Sequence, residues 1–149
     1  MRNIFEEADN FLFFVHILQE NFSLYRIIQE MPQAGGRKLN ISTQVKQGVL
    51  LVRVEGELDV HMAGEFRQRV DAALEADGVR HVLLSLKGVT FIDSSGLGAI
   101  LGRYKKVSAI GGRMLAANVR PQVARVFELS GLLKIIPTFG TETEALNSL

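Results

Sequence analysis

The 149-residue chain has no cysteine, which removes disulfides, thiolate catalysis and cysteine-ligated zinc together. Histidine is scarce: His16, His61 and His81 lie far apart and show no metal-ligand spacing. Neither sign of charge is in excess. Seventeen Lys and Arg against sixteen Asp and Glu leave a formal charge of +1, which provides no electrostatic reason to bind nucleic acid. Long hydrophobic runs are missing as well. The apolar run FLFFVHIL (11–18) is too short to span a bilayer. It also makes a poor signal peptide, because Glu6, Glu7 and Asp9 precede it and no small-residue cleavage site follows. The expectation is a cytoplasmic protein that needs no cofactor or metal and has neither a nucleic-acid nor a membrane partner.

Composition shifts near residue 39. Residues 1–39 hold five of the nine Phe and end in the breaker-rich stretch MPQAGGRK. They read as an N-terminal extension of unknown role. Either it is a short amphipathic segment that packs on the domain or on a second copy, or Met31 is the natural start; a membrane-surface or partner helix is a third reading.

From residue 40 the pattern is regular. ISTQVKQGVLLVRVEGEL reads as two strands around a Gln47-Gly48 turn, with Val49, Leu51, Arg53 and Glu55 alternating with Leu50, Val52 and Val54. Phe66, Val70, Ala73 and Leu74 recur at helical spacing before Gly78. RHVLLSL is a dense apolar strand. Leu97, Ile100, Leu101, Tyr104 and Val107 make a second helical stripe that Gly111-Gly112 stops. RMLAANV is a strand, and Pro121 opens a helix that ends at Gly131. KIIPTF reads as an edge strand because of Pro137, and Thr141 caps a closing helix. The order ββαβαβαβα predicts a mixed α/β sheet: an antiparallel hairpin, then parallel strands joined by right-handed crossovers, over residues 40–149.

The stretch FIDSSGLG (91–98) sits on a strand-to-helix turn. A serine-hydrolase elbow needs G-x-S-x-G and a histidine base; position 92 is Ile, and no histidine is near in sequence. Phosphate-loop and dinucleotide patterns fit poorly. Helix capping by Asp93 or Ser94 is worth roughly 1 kcal/mol, but Gly96 and Gly98 in the first turns each cost up to about 1 kcal/mol relative to Ala. Such glycines suit a surface that another molecule approaches closely. The carboxyl ends of strands are also where open α/β sheets place their sites.

GVTFIDSSGLGAILGRYKKVSAIGGRMLAANVRPQVARVFELSGLLKII, with GELD (56–59) and DGVRHVLLSLKGVTFID, resembles the STAS domain of bacterial anti-sigma factor antagonists. The likeness is greatest to the sporulation-pathway antagonists of endospore-forming bacteria and covers residues 40–146; residues 1–39 have no counterpart in it. The resemblance implies a non-enzymatic protein that binds an anti-sigma factor, itself a serine kinase, and so frees a sigma factor in a partner-switching circuit. It implies that the kinase inactivates the antagonist by phosphorylating Ser94 and that a PP2C-like phosphatase reverses this. A stress or other partner-switching pathway, or a serine enzyme, are the alternatives.

The implied partner-binding residues are Asp59, His61, Asp93, Ser94, Ser95, Gly96, Leu97 and Arg103. Asp93 either caps the first turn or positions the Ser94 hydroxyl in a kinase site. Ser95 bonds to backbone or partner. Gly96 and Leu97 form the contact surface, unless Leu97 faces the core. Asp59 and His61 line the same crevice, with a solvated loop as the alternative for His61. Arg103, Lys105 and Lys106 are either a solvated helix face or a contact for an acidic patch. Phosphate on Ser94 adds about 1.5 to 2 negative charges, which a helix N-terminus tolerates, so the fold is expected to survive modification while partner binding does not.

Overall fold

A computed structural model describes residues 22–32, 39–76 and 78–149. The apolar run 11–18 and residues 33–38 of the breaker-rich stretch lie outside the described residues. The elements are α1 (Phe22–Glu30), β1 (Asn40–Lys46), β2 (Val49–Leu58), α2 (Ala63–Leu74), β3 (His81–Ile92), α3 (Ser94–Ala109), β4 (Met114–Ala117), α4 (Pro121–Ser130), β5 (Thr138–Phe139) and α5 (Glu142–Asn147).

The hairpin forms at the turn read from the sequence. Gln47 and Gly48 both have positive φ, 52° and 78°, as a two-residue turn matched to strand twist requires. Lys46 pairs with Val49 across it. The sheet order is β1-β2-β3-β4-β5; β1 is antiparallel to β2, and every later pairing is parallel.

Two strands differ from their sequence patterns. β3 runs on past Leu86 to Ile92, because Gly88 lets it pass close to β2: a Cβ there would lie 2.4 Å from Glu55 Cγ. KIIPTF shrinks to the two-residue β5 at the sheet edge. Leu132–Lys134 instead form a 3-10 turn, and the amides of Ile135 and Ile136 donate back to the Leu132 carbonyl at 3.1 and 2.8 Å. Those local bonds satisfy the backbone and turn Ile136 into the core.

Period-two alternation sorts β2 onto two faces. Leu50, Val52 and Val54 join Val82, Leu84, Leu86, Phe66, Val70, Leu97, Ile100, Val126 and Phe127 in the main core. Val49, Leu51, Leu83, Leu115 and Ala117 form a smaller cluster under Ala145 of α5. Arg53 extends that second face with a bidentate pair to Glu142, at 3.0 and 2.9 Å. Helix α1 packs against α4, and its Leu24 and Ile28, with Met31 just beyond, join the main core. No described helix is long and apolar enough to cross a membrane.

Candidate functional site

β2 and β3 end side by side, Leu58 opposite Ile92. Each is followed by an aspartate and then a helix. This repeated geometry builds the site.

Asp93 is the N-cap of α3, with extended backbone at φ −110° and ψ −174°. Its Oδ1 accepts from the Gly96 amide at 3.0 Å, as a cap residue should. Its Oδ2 reaches across to the other loop and accepts from the Val60 amide at 2.9 Å. One carboxylate therefore joins the start of α3 to the β2–α2 loop. Burial is the main cause that raises the Asp93 pKa above the ordinary aspartate value. Hydrogen bonds from Gly96, Val60 and Ser95 oppose the rise, and the Asp59 charge adds to it.

Asp59 orders the other loop without capping α2, whose N-cap is Met62 and has no side-chain cap bond. Asp59 Oδ1 accepts from the amides of His61 and Met62 at 3.0 and 3.1 Å, and its carbonyl accepts from Ala63 at 2.9 Å. Asp59 is half-buried, while Val60 and His61 are exposed at the loop tip. Ser94 and Ser95 are half-buried in the first turn of α3, and neither hydroxyl is hydrogen-bonded to another described residue. Among the described residues, no group of three His, Asp or Glu side chains is arranged to hold a metal ion.

Of the residues expected at the site, Asp59, His61, Asp93, Ser94 and Ser95 come together. Gly96 lies beneath them, not on the surface. A Cβ there would sit 2.2 Å from the Leu58 carbonyl oxygen and 2.9 Å from Ile92 Cγ1, so the glycine lets α3 seat against the end of β2. Gly96 is therefore not the contact surface expected of it, and the structure corrects two further expectations. Leu97 is fully buried in the core and offers no contact surface. Arg103 is 1% exposed; its Nε pairs with Asp71 on α2 at 3.1 Å and its Nη1 donates to the Ala99 carbonyl at 3.3 Å. It lies on the side of α3 that faces α2, where burial demands a partner, and is neither a solvated cation nor a partner contact. Lys106 reaches the same carboxylate at 3.0 Å. Val60 is the site residue that periodicity and motif reading miss. An apolar residue between Asp59 and His61 in a loop is the signal available for it.

A model of the STAS domain matches residues 40–145. The chain belongs to the STAS domain family. The anti-sigma F factor antagonist of Paenibacillus polymyxa is 45% identical over 111 residues, spanning 74% of this chain and 95% of that protein. The anti-sigma factor antagonist SpoIIAA in its unphosphorylated form is similar with a TM-score of 0.64 and 31% identity, over 74% of this chain and 95% of that one. SpoIIAA of Bacillus in its phosphorylated form gives 0.59 and 30%, over 74% and 98%. The mixed five-stranded sheet is thus the STAS fold, and the two loops that carry Asp59 and Asp93 stand at one end of this STAS domain.

Proposed function

We propose that this STAS domain is an anti-sigma factor antagonist of the partner-switching kind. The unphosphorylated form binds an anti-sigma factor that is also a serine kinase, and the sigma factor is released. The kinase inactivates the antagonist by phosphorylating Ser94, and a PP2C-like phosphatase restores it. The chain itself carries out no catalysis. The observation that carries the reading is the Ser94 hydroxyl, half-buried at the first turn of α3, without a hydrogen-bond partner among the described residues and beside a loop whose amides are held by Asp59 and Asp93. Such a hydroxyl is accessible to a kinase, and a dianion placed there would be desolvated in any interface that covers it. The likeness to antagonists of the sigma F pathway supports that pathway.

The test is incubation with purified anti-sigma F factor and ATP. One phosphate on Ser94 is expected. Ser94→Ala should bind as the unmodified protein does. A penalty of about 4 kcal/mol would make Ser94→Asp roughly a thousandfold weaker. Equal loss of binding in Ser94→Ala and Ser94→Asp would refute the charge switch, and labelling of Ser94 or Ser95 by a fluorophosphonate would point to an enzyme instead.

A further inference from the structure

We propose that Val60 is the apolar anchor of the partner-binding face and that Asp93 is the residue that positions it; this rests on the antagonist reading above. Val60 is 62% exposed. The other large apolar side chains exposed among the described residues are Phe22, Tyr25, Val45, Ile110, Leu133, Ile135 and Leu149; each lies outside the two loops that flank Ser94. Val60 stands within those loops, at the tip of the one whose backbone amides Asp93 and Asp59 hold.

The tip is held from both sides. Asp93 Oδ2 takes the Val60 amide, and Asp59 Oδ1 takes the two amides that follow, of His61 and Met62. Three consecutive backbone donors are bonded to two carboxylates, so the loop is ordered before a partner arrives. A β-branched side chain on an ordered loop has little rotamer freedom left to lose, and pre-ordering of this kind favours binding. The occupant is the protein that docks over Ser94, through an apolar depression that receives Val60. The anchor is continuous with the serine it accompanies, because the carboxylate that holds Val60 also caps the turn carrying Ser94. Phosphate on Ser94 therefore arises at the edge of the anchor and hinders its seating.

The experiment measures binding of purified anti-sigma F factor by calorimetry for the wild type, Val60→Thr, Asp93→Asn and the double variant. Val60→Thr keeps the shape and replaces a methyl group with a hydroxyl. At an exposed position it should leave the thermal transition unchanged, while affinity falls about tenfold. An asparagine at 93 retains one acceptor for the cap and presents a donor where the second acceptor was, so the Val60 amide should exchange with deuterium at least tenfold faster. Binding by Asp93→Asn should fall, and most of that fall should vanish when the substitution is made in the Val60→Thr background. Val60→Thr binding within twofold of the wild type overturns the anchor. An Asp93→Asn effect of full size in the Val60→Thr background overturns the positioning role and makes Asp93 a direct contact. Failure of the wild type to bind overturns the antagonist reading and the anchor with it.

Discussion

Replacing Gly96 with alanine sets two physical effects against each other. Helix propensity alone favours the change, by up to about 1 kcal/mol. The packing opposes it. The added methyl would meet the Leu58 carbonyl oxygen at 2.2 Å, Ile92 Cγ1 at 2.9 Å and Leu58 Cγ at 3.0 Å. The first of these is backbone at the end of β2, and it also accepts the Asp93 amide at 3.3 Å, so it cannot turn aside as a flexible side chain would. α3 must instead lift from β2. Overpacking of this kind costs about 1–3 kcal/mol, and Gly96→Ala should lower Tm by roughly 3–9 °C for a chain of this size. Gly64→Ala is the matched control. Gly64 is exposed in the first turn of α2, and its added methyl would find nothing nearer than Arg67 Nη2 at 3.9 Å. There propensity acts unopposed, and a gain of up to about 1 kcal/mol is expected. Thermal unfolding followed by circular dichroism measures both variants. A Gly96→Ala protein that melts at or above the wild type, in step with Gly64→Ala, would refute the packing role.

Asp71→Ala removes the carboxylate that the buried Arg103 Nε meets and should cost about 2–4 kcal/mol in a urea titration. Arg103→Met should keep partner affinity within about threefold; a tenfold loss in a folded Arg103→Met protein would return Arg103 to the interface. Burial, with the neighbouring charges of Arg80 and Arg113, holds the His81 imidazole below its ordinary pKa. Its neutral form, which accepts the Arg113 amide at 2.9 Å, is thus favoured in the folded state. The stability it contributes is present above the unfolded value of 6.5 and is lost as pH falls through the lower folded value. Tm should accordingly fall more steeply on acidification below pH 6.5 in the wild type than in His81→Gln, and parallel curves would refute this. Leu24 on α1 is fully buried, so Leu24→Ala should cost about 2–4 kcal/mol within a single unfolding transition; a wild-type melting curve would show that α1 is not part of the cooperative unit.

Elements whose patterns follow a period are legible in the sequence. Alternation along Val49–Glu55 separates the two faces of β2, and the Leu97, Ile100 and Val107 stripe gives the buried side of α3. The position of the site is legible too, because DSSG follows an apolar strand and opens a helix. Residues whose role depends on a contact far along the chain are not. Arg103 follows Gly102 in a run that reads as basic and solvated, yet Asp71, thirty-two positions earlier, draws it inside. The glycine at 96 reads as open surface because sequence spacing does not reveal that the Leu58 carbonyl lies behind it. The bond from the Val60 amide to Asp93 crosses thirty-three positions, and neither residue's type announces it.

That bond also changes how a phosphate at Ser94 is understood. Helix-start electrostatics alone predicts a comfortable site, with unused amides and the positive end of the dipole facing the anion. Here the amides of Ser95, Gly96 and Leu97 are already taken. Gly96 donates to Asp93 Oδ1, Ser95 donates to the same carboxylate, and Leu97 donates to the Asp93 carbonyl at 3.0 Å. A phosphate on Ser94 must share those donors with a carboxylate that burial and Asp59 already disfavour as an anion. Like unit charges about 6 Å apart repel by roughly 1–3 kcal/mol between water and an effective dielectric of 20. The fold can bear that if the phosphate stays in solvent, away from Asp93. A partner that covers the loop tip removes that solvent and leaves the dianion close to two aspartates. The hydrogen bonds that Asp93 and Asp59 accept thus order the unmodified face, and the same two carboxylates oppose a charge on the modified face, so the cost of phosphorylation falls mainly on the complex.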